Sequence, residues 1–354
     1  MLVRARALRS RAIIVFLVPH GEFISGGLLS IYNLYRMSVD MKGMHQASVV
    51  MCFTPGRFTG RWSNAAIDRQ VTICPFRLAL LAFPRAKNIL VHVPEYLLES
   101  FAEQLGLEKL KELSRQGLRL NILNQNVRMM PSVAVIDEIR KAVPDVTCTC
   151  AHPSYSTCTY QKTIGIPVHH LPAWTYPCEP VVSAYEEKEN VFLISPDRSE
   201  WREPVLKMIR RELPHLHIEI VSNMPFHDYL KLAQRAKFSL TFGEGLDDYF
   251  IGVFLRGGIG FAVYNEEFFT DEFREAKTVY PDWPALMSGL VADLRNLEEK
   301  SIYDATSAPI RGFLKTIWSA DKTERCLRSY YQGKYSLFDT PVPVTTPPPE
   351  NELR

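Results

Sequence analysis

Short apolar runs alternate with amphipathic helical patterns through the first half of the chain. Segments 95–116 and 132–143 carry apolar residues every three or four positions, which predicts helices. The predicted strands are residues 13–18, 47–53, 71–74, 89–93, 118–123 and 146–151, and a short helix at 154–163 and a strand at 168–171 follow them. Strands that alternate with helices indicate a parallel sheet covered on both faces.

The same alternation restarts after a segment rich in proline and charge, residues 173–189, which we interpret as a linker. The second half is predicted to contain strands 191–195, 217–221, 238–242 and 259–264, helices 204–212, 226–236 and 248–255, and terminal helices 283–301 and 307–331. We therefore predict an α/β protein of two Rossmann-like domains facing a cleft, residues 1–172 and 190–339. The Pro- and Thr-rich tail, residues 340–354, is predicted to be disordered.

Composition supports packed cores. The 354 residues are 46% hydrophobic and 23% charged, which excludes disordered and collagenous classes. The seven cysteines are scattered and form no paired CxxC pattern, so we predict neither a disulfide framework nor a zinc ribbon, and a reducing, cytoplasmic location. Residues 12–18 form an apolar run too short to span a bilayer.

Cys148, Cys150 and Cys158 lie near His152, a spacing that resembles a metal site. Cys148 and Cys150 alternate along a predicted strand and share one face, but no second pair with matching spacing exists. We expect buried small residues and no metal. The sequence also contains no HExxH, GxSxG or GxxxxGK[ST] motif, and no basic stripe interleaved with aromatic residues. These absences argue against common protease, hydrolase, P-loop and nucleic-acid-binding classes.

Charge is distributed unevenly between the two halves. Residues 1–180 contain 20 Lys and Arg against 12 Asp and Glu, whereas residues 181–354 contain 21 against 27. The first half is therefore suited to an anionic partner. A chance dipole on a soluble enzyme is the alternative, because the basic residues are dispersed.

Glycines and histidines mark the ends of several strands in the first half. Gly26 and Gly27 follow the first strand and precede a helix, where a ligand could approach the backbone, although a Gly pair also suits a tight turn. Strand ends in parallel sheets converge, so a general base or an anion-binding imidazole could come from any histidine at these ends. These histidines are His20, His92 and His152, and Glu22 and Glu95 are carboxylate candidates. Each could equally be structural.

The second half contains a sharper pattern. The predicted strand 238–242 runs into Gly243-Glu244-Gly245 and then Asp247-Asp248-Tyr249 at the start of a helix. Backbone N–H groups at such a turn suit a diphosphate, and the Glu244 carboxylate suits sugar or ribose hydroxyls. Helix capping by Asp247 or Asp248 is the structural alternative.

With these residues in place, the chain resembles the GT-B glycosyltransferases, especially bacterial enzymes that build capsule or lipopolysaccharide chains from nucleotide sugars. The resemblance covers about residues 13–330. It rests on the Gly26-Gly27 loop, on Ser195-Pro196-Asp197-Arg198, and on the block from Phe242-Gly243-Glu244-Gly245 through Gly257-Gly258-Ile259-Gly260.

The resemblance implies that the first domain holds the acceptor and the second holds the nucleotide sugar. The implied acceptor-binding residues are Gly26, Gly27, Glu22 and His152. The implied donor-binding residues are Arg198, Ser195, Gly245, Asp247, Asp248 and Tyr249, and the catalytic candidates are Glu244, His92 and His20. Retaining members carry a second Glu eight positions after the first, but Gly252 stands there in this chain, so Asp247 or Asp248 would replace it. The basic residues near the diphosphate are reduced to Arg198 and, less clearly, Arg202.

The predicted function is transfer of a hexosyl or deoxyhexosyl unit from a nucleotide sugar to a saccharide or lipid-linked acceptor in polysaccharide biosynthesis. No cofactor or metal is required if helix N-termini and Arg198 neutralise the leaving diphosphate. Contact with the inner face of a membrane is part of this prediction. The alternatives are a nucleotide-sugar epimerase on the same architecture and a non-catalytic binding or scaffold subunit.

Overall fold

The computed structural model describes residues 10–19, 25–54, 60–62, 71–222 and 224–338. These residues form two compact units. The first unit contains the described chain up to residue 178 together with residues 320–338, and the second contains residues 179–319.

The first unit is built from alternating strands and helices. Its strands are β1 Ala12–Val18, β2 Ser48–Phe53, β3 Gly60–Trp62, β4 Val71–Pro75, β5 Asn88–Pro94, β6 Leu118–Asn124, β7 Val146–Cys150 and β8 Val168–His170. Its helices are α1 Gly26–Asp40, α2 Lys42–His45, α3 Phe76–Ala82, α4 Leu98–Leu105, α5 Leu107–Arg115, α6 Val133–Ala142, α7 Cys158–Ile164 and, after the second unit, α13 Ala320–Tyr331.

The sheet of the first unit has the order β3-β4-β2-β1-β5-β6-β7-β8. β3 pairs antiparallel with β4, and the other pairs are parallel. Six consecutive residues of β1, from Ile13 to Val18, are buried. Since successive side chains point to opposite faces, both faces of the sheet are covered, as its apolar runs predict.

The second unit has the same plan on a smaller scale. Its strands are β9 Glu189–Ile194, β10 His217–Ile220, β11 Ala236–Leu240, β12 Ile259–Val263 and β13 Val279–Tyr280. Its helices are α8 Arg202–Glu212, α9 Phe226–Arg235, α10 Asp248–Leu255, α11 Trp283–Asn296 and α12 Lys300–Ile317. The parallel sheet has the order β10-β9-β11-β12-β13. The predicted α/β class with two Rossmann-like units is therefore confirmed.

The structure differs from the predicted helices at glycines and at chain turns. The helix predicted over 95–116 is a 3-10 turn at Glu95–Leu97 followed by α4 and α5. Gly106 separates α4 from α5 with a φ of 82°, a left-handed value that ends an α-helix. The two predicted terminal helices are likewise three, α11, α12 and α13.

The last helix belongs to the first unit and not, as predicted, to the second domain. Its buried residues Cys326, Leu327 and Tyr330 pack in the same core as Ile31 and Leu34 of α1. Burial of this apolar face stabilises the first unit, which explains why the chain returns to it.

The boundary between the units also lies later than predicted. Trp174 and Tyr176, placed in the predicted linker, are buried in the first unit. The Asn33 side-chain amide of α1 donates to the carbonyl oxygens of both residues, at 2.9 and 3.1 Å. These bonds attach the segment to the first unit as far as residue 178. The predicted tail, residues 340–354, lies outside the described residues.

Candidate functional site

The strand order of the second unit places a crevice between β9 and β11. The chain passes from β9 outward to β10, then returns across β9 to β11 and continues in the opposite direction. Ligands of open α/β sheets bind at such a reversal, at the carboxyl ends of the strands. The loops that follow β9 and β11 contain Ser195 to Trp201 and Thr241 to Asp247, the segments singled out in the sequence.

Two hydrogen bonds of Ser195 connect these loops. The Phe242 N–H donates to Ser195 Oγ at 2.9 Å, and the Ser195 N–H donates to the Leu240 carbonyl oxygen at 3.1 Å. Ser195 is fully buried. The structure therefore supports a positioning role for Ser195, and its predicted contact with a donor stays a prediction.

Gly243 and Gly245 permit close approach at the same edge. A Cβ at Gly243 would lie 2.8 Å from Asp197 Oδ2. Gly245 has a φ of 89°, and a Cβ there would lie 2.5 Å from Cε2 of Phe269. Gly245 is required by its left-handed backbone and by the adjacent Phe269 ring, whereas at Gly243 the Asp197 side chain could shift. Glu244 lies half-buried between the two glycines.

Asp247 is the N-cap of α10. Its Oδ1 accepts from the N–H groups of Tyr249 and Phe250, at 2.9 and 3.3 Å, and its Oδ2 accepts from the Thr241 hydroxyl. Burial raises the pKa of Asp247 well above its ordinary range, and the charges of Asp197 and Glu244 add to this effect. Because both carboxylate oxygens are engaged, the structure supports the capping alternative for Asp247, and its predicted contact with ribose is not supported.

The next two predicted donor residues lie beside this cap. Asp248 is half-buried, and the Tyr229 hydroxyl donates to its carbonyl oxygen at 3.0 Å. The Tyr249 ring packs edge-on against Tyr229 at 5.5 Å. Burial raises the pKa of Tyr249, with further increases from Asp247 and Asp248. The structure thus brings the predicted acidic residues together at one sheet edge.

Two arginines, Arg198 and Arg202, lie in the loop after β9 and at the start of α8. Arg198 is exposed, and Arg202 is half-buried. Arg202 donates from Nη1 to the carbonyl oxygens of Pro196 and Asp197, both at 3.3 Å. Its Nε is buried and has no hydrogen-bond partner within the described residues. At the start of α8 the Trp201 N–H donates to Ser199 Oγ at 3.2 Å and the Arg202 N–H donates to the Ser199 carbonyl oxygen at 3.3 Å. The arginine side chains are therefore the groups of this loop that could meet an anionic ligand.

Sequence reasoning missed an aromatic stack at this edge. The Trp283 ring lies between Phe242 and Trp201, with centroid distances of 5.1 and 6.3 Å and interplanar angles of 7° and 8°. Phe242 is buried, whereas both tryptophans retain exposed surface. Trp201 and Phe242 lie in the loops after β9 and β11, but Trp283 begins α11 and is distant in sequence. Only the fold shows that the rings meet.

The first unit has its own reversal of strand order beside β1. Gly26 and Gly27 begin α1, where Ser25 Oγ caps the helix by accepting from the Leu28 N–H at 3.3 Å. A Cβ at Gly27 would lie 2.5 Å from Gln125 Oε1, so the loop after β6 approaches this helix start. Nearby, the buried Glu95 accepts from the Asn126 N–H at 3.1 Å. The predicted residues His20 and Glu22 lie outside the described residues.

His92 does not lie at the sheet edge. It is fully buried in β5, stacks on Phe16 at 4.5 Å, and bonds through Nδ1 to Asn121 at 2.9 Å. Burial, with a smaller effect from Arg119, lowers the pKa of His92 to about 3. Both ring nitrogens have protein partners, since Nε2 also bonds to the Tyr331 hydroxyl at 3.3 Å. The structure thus supports the structural alternative for His92, and its predicted catalytic role stays a prediction.

His152 follows β7 and is buried against Tyr155, with ring centroids 5.4 Å apart. Burial lowers its pKa to about 4, so it is neutral near pH 7. Its predicted contact with an acceptor stays a prediction. The predicted burial of Cys148 and Cys150 is confirmed, and Cys158 is exposed.

The described residues contain neither a metal-binding cluster nor a membrane-spanning helix. In the described ranges no group of three or more His, Cys, Asp or Glu side chains is placed to hold a metal ion. Among the helices described, none is both long enough and apolar enough to cross a membrane.

No protein-family model matches the chain, and a search of curated proteins finds no match. Solved structures do match. Sucrose-phosphate synthase from Thermosynechococcus elongatus has 11% identity and a TM-score of 0.57, with 91% of this chain and 99% of that chain covered. The pneumococcal O-GlcNAc transferase GtfA, in complex with UDP and GlcNAc, has 8% identity and a TM-score of 0.58, with coverages of 92% and 99%. An E. coli trehalose-6-phosphate structure bound with UDP-2-fluoro glucose has 8% identity, a TM-score of 0.52, and coverages of 91% and 99%.

These similarities extend over both units. At such low identities they establish the fold and leave the activity to be argued from the site. The predicted resemblance is confirmed at this level: the chain has the GT-B fold of these glycosyltransferases.

Proposed function

We propose that the protein is a glycosyltransferase that uses a nucleotide-sugar donor, with the nucleotide bound by the second unit. The observation that carries the proposal is the start of α8 at the β9/β11 reversal. There the half-buried Arg202 and the exposed Arg198 lie beside the carboxyl end of β9. A diphosphate supplies oxygens that accept charge-assisted hydrogen bonds from such guanidinium groups.

The carboxylates at this sheet edge are compatible with a bound diphosphate, because Asp247 caps α10 and Glu244 lies on the β11 side. Asp247 is engaged as a helix cap, and the Tyr249 and Phe250 N–H groups that donate to its Oδ1 offset its charge. Arg198 is exposed and free to turn toward a second phosphate. The phosphates would then lie on the α8 side, and the Glu244 carboxylate on the β11 side would accept hydrogen bonds from the transferred sugar.

The aromatic stack suits the base of the nucleotide. Trp201 forms the outer end of this stack and retains exposed surface, whereas both faces of Trp283 are covered by Phe242 and Trp201. A base stacked on an aromatic ring contributes roughly 1–3 kcal/mol in single-stranded nucleic-acid complexes, largely independent of base identity. Two of the similar structures were solved with UDP or a UDP-sugar, so we propose a uridine nucleotide as the first donor to test.

Transfer breaks the bond between the sugar C1 and the diphosphate oxygen and forms a bond from C1 to an acceptor hydroxyl oxygen. The diphosphate leaves with the electron pair of the broken bond, and the proton of the acceptor hydroxyl passes to the leaving diphosphate oxygen or to solvent. Arg202, Arg198 and the α8 N-terminus would stabilise that developing charge, which is the main electrostatic requirement of the reaction. Binding of the donor in one orientation supplies the rest of the rate enhancement.

The proposed donor sugar is a hexosyl or deoxyhexosyl unit, and the proposed acceptor is a saccharide or lipid-linked saccharide in capsule or lipopolysaccharide synthesis. The acceptor would bind over the first unit near Gly26 and Gly27. A lipid-linked acceptor would place the enzyme at the inner face of a membrane, as the basic first half predicts.

A thermal-shift screen with UDP, GDP, dTDP and CMP derivatives tests the donor class. A ligand at 100 times its dissociation constant raises stability by about 2.7 kcal/mol. The sugar of the stabilising nucleotide is then followed with and without saccharide acceptors. We expect transfer only with an acceptor, and Glu244→Gln should reduce it strongly while the melting temperature stays close to wild type. A changed sugar without acceptor would indicate an epimerase, and no stabilising nucleotide would favour a scaffold subunit.

A further inference from the structure

An apolar groove lies at the amino edge of the first unit's sheet, the edge opposite Gly26 and Gly27. We call it the α3 groove. It has a volume of about 530 Å³, within the roughly 300–1,000 Å³ typical of ligand-binding pockets. Its apolar lining is formed by Leu80, Leu81, Phe83, Ile89, Leu105 and Leu113.

Apolar side chains on the outer surface of α3, next to the groove, are exposed to solvent. Leu78 and Leu81 lie three positions apart on the helix and are 47% and 73% exposed. Residues at this spacing share one helix face. Exposure of two leucines beside an open apolar groove is unusual for a surface that contacts only water.

Cations surround the exposed leucines. Segment 76–88 contains Arg77, Arg85 and Lys87 and no Asp or Glu. All three cations are exposed, and none of them forms an ion pair within the described residues. Lys109, on the opposite wall of the groove, is paired with Glu112 at 2.8 Å, so the net positive charge lies on the α3 side.

We propose that α3 and the α3 groove form a docking surface for an anionic lipid bilayer. Leu78 and Leu81 would enter the acyl boundary, the groove would cover acyl chain, and Arg77, Arg85 and Lys87 would lie among the anionic headgroups. Apolar residues flanked by cations are the pattern by which surface helices bind membranes. The carboxyl edge of the same sheet stays open to an acceptor.

This charge pattern favours a bilayer over an apolar small molecule or a second copy of the chain. An apolar ligand in the groove makes no use of the exposed Leu78 or of Arg85 and Lys87, which lie outside the lining of the cavity, whereas Arg77 is part of that lining. A second copy meeting at this surface would bring like charges together, which is unfavourable.

Vesicle co-sedimentation tests the proposal with the full chain. The probes are phosphatidylcholine vesicles and vesicles containing about one third phosphatidylglycerol, each at low and high NaCl. We expect binding to the anionic vesicles at low salt, and weakening as salt increases. Leu81→Ser should lower the partition coefficient about tenfold and Arg85→Glu about fivefold. Both positions are exposed, so circular dichroism and the melting temperature should match wild type.

Matched controls come from another face of the first unit. Val133→Ser removes an apolar side chain that is 40% exposed on α6, and Lys162→Glu reverses an exposed charge on α7. Both should bind vesicles like wild type. The proposal is overturned if anionic vesicles do not bind, if the controls lose binding equally, or if sedimentation velocity shows a dimer that Leu81→Ser dissociates. Because this assay needs no donor or acceptor, its outcome is separate from that of the proposed enzymatic function.

Discussion

The Phe242 N–H donates a 2.9 Å hydrogen bond to the buried Ser195 Oγ, which joins the two loops at the strand reversal of the second unit. One loop leads to Arg202 and the other to Glu244. The relative positions of the proposed diphosphate and sugar contacts therefore depend on this bond.

Ser195→Ala should lower the free energy of unfolding by about 1–3 kcal/mol, because it leaves a buried N–H group without its acceptor. Urea unfolding of the variant measures this loss. The exposed Ser222→Ala in the same unit is the control and should change stability by less than about 0.5 kcal/mol. Equal stability of the two variants would show that the Ser195 contact is dispensable.

Two glycines in the second unit should respond in opposite directions to alanine. Gly245→Ala places a Cβ 2.5 Å from the Phe269 ring at a φ of 89°, so we expect destabilisation of more than about 1 kcal/mol. Gly312 lies inside α12 with no atom within 4 Å of an added Cβ. Gly312→Ala should therefore stabilise by about 0.5–1 kcal/mol. Thermal unfolding of both variants checks the signs, and a stabilised Gly245→Ala variant would contradict the described loop conformation.

Buried histidines should make the first unit sensitive to acid. Burial lowers the pKa values of His92 and His170 to about 3, below the ordinary value of about 6.5 for an unfolded histidine. The unfolded chain then binds more protons than the folded chain as pH falls below 6.5. Stability is retained above that pH and is lost progressively toward pH 3. The expected loss between pH 7 and pH 5 is about 2 kcal/mol for each of these histidines.

His92→Asn provides the specific test, because it removes the titrating ring. The pH dependence of its unfolding free energy should be shallower than that of wild type by about 2 kcal/mol between pH 7 and pH 5. A wild-type slope in His92→Asn would mean that His92 is charged or exposed in the folded protein.

Hydrophobic patterning predicts most of the strands and both parallel sheets, because fully buried strands appear as continuous apolar runs. It does not predict where α13 packs, since the apolar face of Leu327 and Tyr330 could cover either unit and only tertiary contacts decide. Residues at the ends of β9 and β11 could be identified because parallel topology places strand ends together. Trp283 could not, because no local pattern connects it to Phe242, 41 positions earlier. The sequence could not show whether His92, two residues before the end of β5, lies at the exposed sheet edge or in the core.

Calorimetric titration of Arg202→Gln with UDP tests the central claim most directly, with the exposed Arg210→Gln on the same helix as control. We expect wild type and Arg210→Gln to bind UDP alike. Arg202→Gln should weaken UDP binding by about 1.5–3 kcal/mol, roughly 10-fold to 150-fold, and leave uridine binding nearly unchanged. If wild type binds no nucleoside diphosphate, or if Arg202→Gln weakens UDP and uridine equally, α8 and Arg202 do not form the proposed diphosphate site.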